Sequence, residues 1–438
     1  MNKLFLALLT VFIPIIVSAI IIIDESPNGK KNYNDYKQVE AKQIPSNQKM
    51  TVTKSIPASN TVITNKVVKK TTTSSKQEKP IAPSKAPFSV TKSVYIEPIE
   101  SPELLPRSWP WRGATFENSG TPEDVSKLAA MNVNAIAIQL NVRQIAESKH
   151  MTTEEAWADR LEWADTILAA CKNNNIVCII AIFQFPFDPN LGLKESSPDY
   201  WNNKALQYET IEYVAKLAEH FKDAGNELGA YDILSEPLVR FPLGIKQTPK
   251  EWHVVQDAII RKIKQIDPKR YVIVTPGYGG MPSSFENFKP LNYPKLIYSA
   301  HMYSPHRFTH QGLPGFDYGK EYPSTFPSLN KGKLIGYMQP VIDFKQKYNA
   351  LVYIGEFSAI RWASGGDQYV SDLIDIFDTN QLSWMYFSYG YHGWNPSYST
   401  AYTPNDAVGE YKRQFKGDNT PRWQILKNAF KKNKSLIK

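Results

Sequence analysis

From Trp109 onward, short apolar runs alternate with longer stretches in which apolar residues recur every three or four positions. The short runs are rich in Val, Ile, Leu, Phe and Tyr. They predict strands at Arg112–Phe116, Val133–Leu140, Ile176–Phe183, Leu228–Leu234, Tyr271–Thr275, Leu296–His301, Leu351–Ile354 and Leu382–Phe387. The longer stretches predict helices. Thr121-Pro122-Glu123-Asp124 places a capping hydroxyl before a first-turn proline and two acids, and Thr248-Pro249-Lys250-Glu251 repeats the signature. In "YETIEYVAKLAEHFKDAG", Ile211, Val214, Ala215, Ala218 and Phe221 share one face and Gly225 closes the segment. A last helix is expected near Trp423–Lys431. Strands that are apolar almost throughout, each followed by a helix, describe a parallel sheet covered on its outside; eight such units predict an α/β fold, the (β/α)8 barrel. A doubly wound open sheet is the alternative. No Gly-rich nucleotide loop follows an early strand, which counts against it.

The N-terminal hundred residues follow a different pattern. Leu4 to Ile23 is an uncharged run of 20 residues between Lys3 and Asp24-Glu25. That is long enough for a bilayer span of about 20 and longer than the roughly 7–15 of a signal-peptide core. Val17-Ser18-Ala19 imitates a cleavage site, but the apolar run continues through Ile20–Ile23. Residues 1–25 are therefore expected to be an uncleaved anchor, with Lys3 inside and the rest of the chain extracytoplasmic; cleavage would make the protein secreted. Residues 26–95, typified by "KKTTTSSKQEKPIAPSKAP", show no sustained period and are expected to form a disordered tether. Residues 96–438 are then the barrel domain.

Charge sharpens this division. The chain carries a net +9, yet residues 26–95 alone hold 13 lysines against Asp35, Glu40 and Glu78, an excess of ten. The anchor contributes one net negative charge, so the barrel domain is neutral. A nucleic-acid partner loses its main support. The two cysteines, Cys171 and Cys178, match no zinc spacing and have no accompanying His cluster. They are either a disulfide or buried thiols at a helix-to-strand junction. No cofactor and no metal site is expected, since His306 and His310 lack an obvious carboxylate cluster. A monomer is expected.

In a barrel of this kind, chemistry sits where the strands end at their C-terminal face. "GAYDILSEPL" ends the fourth strand with Glu236, and "LVYIGEFSAIRW" ends the seventh with Glu356. Strands four and seven lie across the barrel from each other. Two carboxylates facing each other over an aromatic-rich cleft are the machinery of glycoside cleavage, one giving a proton and the other attacking the anomeric carbon.

These stretches resemble glycoside hydrolase family 5 of clan A, the family of many cellulases and mannanases, from about Trp109 to Leu426. "HFKDAGNELGAYDILSEPL" is similar to the family's helix and fourth strand ending in Asn-Glu-Pro, which implies Glu236 as acid/base. "VYIGEFSAIRW" resembles its seventh strand with Gly-Glu-Phe, which implies Glu356 as nucleophile. "YSAHMYSPHRFTHQG" is similar to the sixth strand, and the resemblance assigns His301 to positioning the acid/base and Tyr303 to holding the nucleophile. "WMYFSYGYHGWNPSY" resembles the eighth strand and its loop. The implied activity is retaining hydrolysis of a polysaccharide, most simply a β-glucan.

The chain departs from the family pattern at several positions. Ser235 replaces an Asn that contacts the sugar 2-hydroxyl, and Gln184 stands near the usual third-strand His. Gln139 or Asn141 lies where the second strand gives an Arg, with Arg143 further on; Phe387 appears where a Trp floors the central subsite. Loss of that Arg should raise the pKa of Glu356. Two readings follow: an active hydrolase with altered hydroxyl recognition, or a glycan-binding barrel of the cell envelope with little activity. Among the aromatics, Trp109, Trp111, Trp201, Trp252, Trp362, Trp394, Tyr389 and Tyr391 could stack on sugar rings, although most aromatics in such a barrel pack; Trp362 and Trp394 rank highest because they follow strands seven and eight, and Trp384 is expected to pack at the entrance of its strand.

Overall fold

Eight parallel strands close into a barrel in chain order, and each strand hydrogen-bonds to the strands before and after it in sequence. The structure, a computed structural model, describes residues 105–185, 196–240, 246–313, 315–389 and 417–433. The expected anchor, the tether, Tyr391 and Trp394 lie outside these. Among the described residues no helix is long and apolar enough to cross a membrane. The strands are β1 (Arg112–Glu117), β2 (Ala135–Leu140), β3 (Val177–Ile182), β4 (Leu228–Asp232), β5 (Tyr271–Val274), β6 (Leu296–Met302), β7 (Val352–Phe357) and β8 (Ser383–Tyr386).

Period-two alternation sorts each strand's residues between two cores. Ala135 and Ala137 of β2, Val177 and Ile179 of β3, Ile273 of β5 and Tyr353 of β7 fill the barrel interior, and the intervening residues pack beneath the helices. Trp111, fully buried, plugs the N-terminal end and donates its indole N–H to the Arg107 carbonyl at 2.8 Å. Gly229 of β4 makes room for it: a Cβ there would fall 2.4 Å from Val177 and 3.0 Å from the Trp111 ring. Toward the N-terminal end the interior is filled by these apolar side chains, which leaves the C-terminal mouth as the open end.

Of the two helix starts predicted from capping signatures, the first is observed. Thr121 caps the helix Pro122–Ala130 in a capping box with Asp124. The helix Lys204–Phe221 buries Val214, Ala215, Ala218 and Phe221 as its pattern requires, although it begins earlier, capped by Asn203. Thr248 behaves differently. The helix expected there starts later, at Trp252, without a side-chain cap, because the Thr248 hydroxyl instead accepts from the Tyr278 backbone N–H at 2.9 Å. The last helix is Pro421–Phe430, capped by Thr420. Cys171 and Cys178 are both buried free thiols, and their mutual contact together with burial pushes the Cys178 thiol well up.

Two irregularities place the glutamates. β7 runs further than its sequence pattern predicts and takes in Gly355, Glu356 and Phe357. Its register against β6 shifts between Ile354, which pairs with Ala300, and Glu356, which pairs with His301. A bulge of this kind re-aims a side chain, and here it sets Glu356 beside His301. β4 ends before its pattern predicts, at Asp232, but the following segment stays tethered on both sides: Ile233 N–H donates to Ile273 and Ser235 N–H to Ile182, at 3.3 and 3.1 Å. Glu236 therefore emerges from fixed backbone.

Candidate active site

Glu236, His301 and Glu356 meet at the C-terminal mouth, where one donor or acceptor atom from each lies within 4.8 Å of the others. The His301 Nδ1 lies 3.1 Å from Glu236 Oε1 and 3.9 Å from Glu356 Oε2. Glu356 is buried and held on both oxygens: Gln139 Nε2 donates to Oε1, and the Tyr303 hydroxyl donates to Oε2 at 3.0 Å. Glu236 keeps 31% of its side chain exposed. One carboxylate is thus clamped in the wall while the other faces the cleft.

The electrostatics follow from this asymmetry. Burial, reinforced by the charge of Glu236, pushes Glu356 up to about 7 against the pull of His301, Tyr303 and Gln139. Burial also pushes Glu236 upward, but its partial exposure weakens that push; the hydrogen bond and charge of His301, with His306 and Arg240 behind, hold it below the ordinary carboxylate range. Burial alone would depress His301. The carboxylates of Glu356, Glu236 and Asp232 outweigh it and raise the imidazole to about 9, so His301 is an imidazolium at neutral pH.

The family-supporting positions are distributed unevenly. Gln139, not Asn141, occupies the place beside Glu356: it donates to the Glu356 carboxylate from the inward face of β2, while the Asn141 backbone N–H donates to Asn118. Ser235 is buried and turns its hydroxyl toward Asp232 Oδ2 at 3.3 Å. The Gln184 side-chain oxygen accepts from the Gln144 backbone N–H at 3.2 Å. Phe387 follows β8 and is 9% exposed. Trp362 remains partly exposed, with its indole N–H donated to the Gln311 carbonyl at 2.8 Å and the Arg361 guanidinium 4.7 Å over its ring. Trp109 stays partly buried at the opposite end, against Trp111, and Trp201, Trp252 and Trp384 are buried, as expected of packing residues.

A paired carboxylate site on a barrel of this topology is common to several hydrolase families; the sequence comparison decides among them. The cellulase (glycosyl hydrolase family 5) family model matches residues 101–393. The chain belongs to glycosyl hydrolase family 5.

Endoglucanase C of Acetivibrio thermocellus is 20% identical over 307 residues, covering 62% of this chain and 85% of that protein. Cellodextrinase A of Ruminococcus flavefaciens is 20% identical over 261 residues, covering 58% and 72%. Among solved structures, Thermotoga maritima Cel5A in complex with cellobiose is 17% identical with a TM-score of 0.55, covering 73% of this chain and 97% of that one. The same enzyme with mannotriose gives a TM-score of 0.54 at 18% identity. The structural likeness shows the barrel, and family membership makes this chain a glycoside hydrolase.

Sequence reading missed one residue of this family 5 site. Asp232 lies in the barrel interior four residues before Glu236 and is 2% exposed. It sits at even spacing from both Ala230, which faces inward, and Glu236, so the alternation of β4 was the signal that could have found it. Arg240 and His306 were not singled out for a role either. Their charges act on Glu236 only because the loops after β4 and β6 converge there.

Proposed function

We propose that this family 5 enzyme cleaves a β-glucan with retention of anomeric configuration, with Glu236 as acid/base and Glu356 as nucleophile. The observation that carries this reading is that one oxygen of each carboxylate lies within 4.8 Å of the other, which fits the close spacing of retaining pairs rather than the wider gap of inverting ones. Glu236 donates its proton to the glycosidic oxygen as the C1–O bond breaks, and Glu356 forms an ester to C1. In the second step Glu236 takes a proton from water, which attacks C1 and frees Glu356. Gln139 and Tyr303 support the nucleophilic role, because two fixed donors orient the Glu356 lone pairs. The 4-position of the substrate's leaving sugar needs a proton donor at the open side of the cleft, where Glu236 stands.

The protein's own groups place the pair's proton on Glu356, whereas reaction requires it on Glu236. Sugar binding reverses the preference: the substrate covers the exposed edge of Glu236 and removes water, and positive charge developing at C1 favours ionised Glu356. Activity needs one proton on the pair. Above about 7 the pair loses it, so kcat/KM should fall through an alkaline limb within about one unit of that value. A pH profile on a soluble β-glucan checks this; a limb more than about two units higher contradicts it.

The substrate class is tested by exposing the full chain to soluble glucans, mannans, chitosan and peptidoglycan fragments and measuring new reducing ends. β-Glucan should give the largest rate. Failure to cleave any of them would favour the glycan-binding barrel. We propose in addition that Leu4–Ile23 anchors the chain with the barrel on the extracytoplasmic side, supported by the uncharged run of 20 residues. The mature protein should retain its N-terminal run; an N-terminus sequenced near Ile20 would contradict the anchor.

A further inference from the structure

Directly beneath the catalytic pair, the barrel interior turns from apolar to polar. Asp232 of β4, Ser299 and His301 of β6 and Thr115 of β1 are all buried there, and Asp232 Oδ1, Ser299 Oγ, His301 Nε2 and Thr115 Oγ1 have no protein hydrogen-bond partner among the described residues. Unpaired buried polar atoms are rare singly in native interiors. Several in one layer call for a shared partner.

Two of these atoms pack against Gly355 of β7. A Cβ at this position would lie 2.8 Å from Ser299 Oγ and 3.0 Å from His301 Nε2, so the two atoms lie close to each other and to the β7 backbone. Glycine fits there because a side chain would crowd both. A buried water usually makes about three hydrogen bonds to such groups. Asp232 supplies the remaining acceptor, since its other oxygen already accepts from Ser235.

We infer that Asp232 is a positioning residue of the catalytic site: through a buried water shared with Ser299 and His301 Nε2, it fixes the His301 ring so that Nδ1–H is donated to Glu236. The groups facing His301 are Glu236 and Glu356 at Nδ1 and Asp232 below, with Tyr303 committed to Glu356 and Tyr353 buried alongside. Of the three carboxylates, Glu236 and Glu356 change state in every turnover: one gives and retakes a proton, and the other becomes an ester. Asp232 is the counter-charge that the reaction leaves alone. Burial pushes Asp232 up to about 7 against the pull of His301 and Ser235, so it is ionised over the range near 9 in which His301 titrates. Removing that charge should let His301 lose its proton at lower pH.

The kinetic arm of the test rests on the catalytic reading of the two glutamates; the spectroscopic arm does not, because it is read without substrate. Full-length Asp232→Asn keeps the volume and removes the charge. In ¹⁵N-edited spectra, with the His301 signal identified by its loss in His301→Gln, the imidazole midpoint should move down by about one unit or more, a tenfold change in the proton equilibrium. The alkaline limb of kcat/KM should move to lower pH, kcat should fall about tenfold and KM should hold. Ile273→Val, which trims the β5 residue paired with Asp232, is the packing control and should leave both the midpoint and the limb in place. An unchanged His301 midpoint in a folded Asp232→Asn, or an equal shift in Ile273→Val, would overturn the inference whether or not any glucan is cleaved.

Discussion

Glu356→Gln should reduce turnover of a soluble β-glucan by about 10⁴-fold or more while leaving sugar binding largely intact. The amide is nearly isosteric and keeps hydrogen-bonding contact with Gln139 and Tyr303, but it has no anionic oxygen to attack C1. The same variant should be more stable than the parent above neutral pH. Glu356 is 6% exposed, and its carboxyl in the folded chain is raised to about 7 from an ordinary value of 4.5. As pH climbs through that window the unfolded chain ionises first and the parent loses stability; the Gln variant has no such proton to lose. The gain should reach about 1–3 kcal/mol at about pH 8 and vanish near pH 4, where both states of the parent are protonated. Rates and thermal melts at the two pH values check it together. A folded Glu356→Gln that retained substantial turnover would remove Glu356 from the nucleophile's role.

Glu236→Ala should lower kcat on natural glucan by about 10²–10⁴-fold, the usual contribution of a positioned proton donor. The loss should depend on the leaving group. Sugar alkoxides need the proton as the bond breaks, whereas activated aryl glycosides leave without it and should be affected least in the first step. Both should then share a slowed second step, because no base remains to draw the proton from water. His301 also loses the acceptor 3.1 Å from its Nδ1, so its own titration should move downward. Comparing kcat/KM, which reports the first step alone, for glucan and aryl substrates separates these effects. Equal losses of kcat/KM on both would mean that Glu236 only shapes the cleft.

Much of this arrangement could be read from residue pattern. The eight strands and the placement of Glu236 after the fourth and Glu356 at the end of the seventh follow from period and chain order. What escaped depends on register and three-dimensional competition. Gln139 could not be separated from Asn141 by alternation, because both share the parity of Ala135 and Ala137; the end of β2 at Leu140 and the bond from Gln139 to Glu356 separate them. The bulge that sets Glu356 opposite His301 exists only in the pairing of β7 with β6. Thr248 carries a good capping signature, yet a backbone N–H from Tyr278 takes its hydroxyl. Ser235 reads as a sugar contact by position, but Asp232 below it claims the hydrogen bond. For Gln139, Glu356 and Thr248 the deciding partner is distant in sequence; for Ser235 it is three residues away but reached only once the end of β4 is folded.

With the departures at Ser235, Gln184 and Phe387, the carboxylate pair and its His301, Tyr303 and Gln139 contacts stay assembled. That combination fits a hydrolase whose chemistry is kept and whose hydroxyl recognition is altered. The neutral Gln139 beside Glu356 also fits activity on the acidic side, since a hydrogen bond lowers the carboxyl less than a cation would.

The most direct measurement is proton NMR of the first-formed product of β-glucan hydrolysis, read before mutarotation. With Glu236 and Glu356 within 4.8 Å, direct attack by Glu356 followed by water requires two inversions, so the new reducing end should appear first as the β-anomer. An α-anomer appearing first would mean that water attacks directly, and would contradict the assignment of Glu356 as nucleophile.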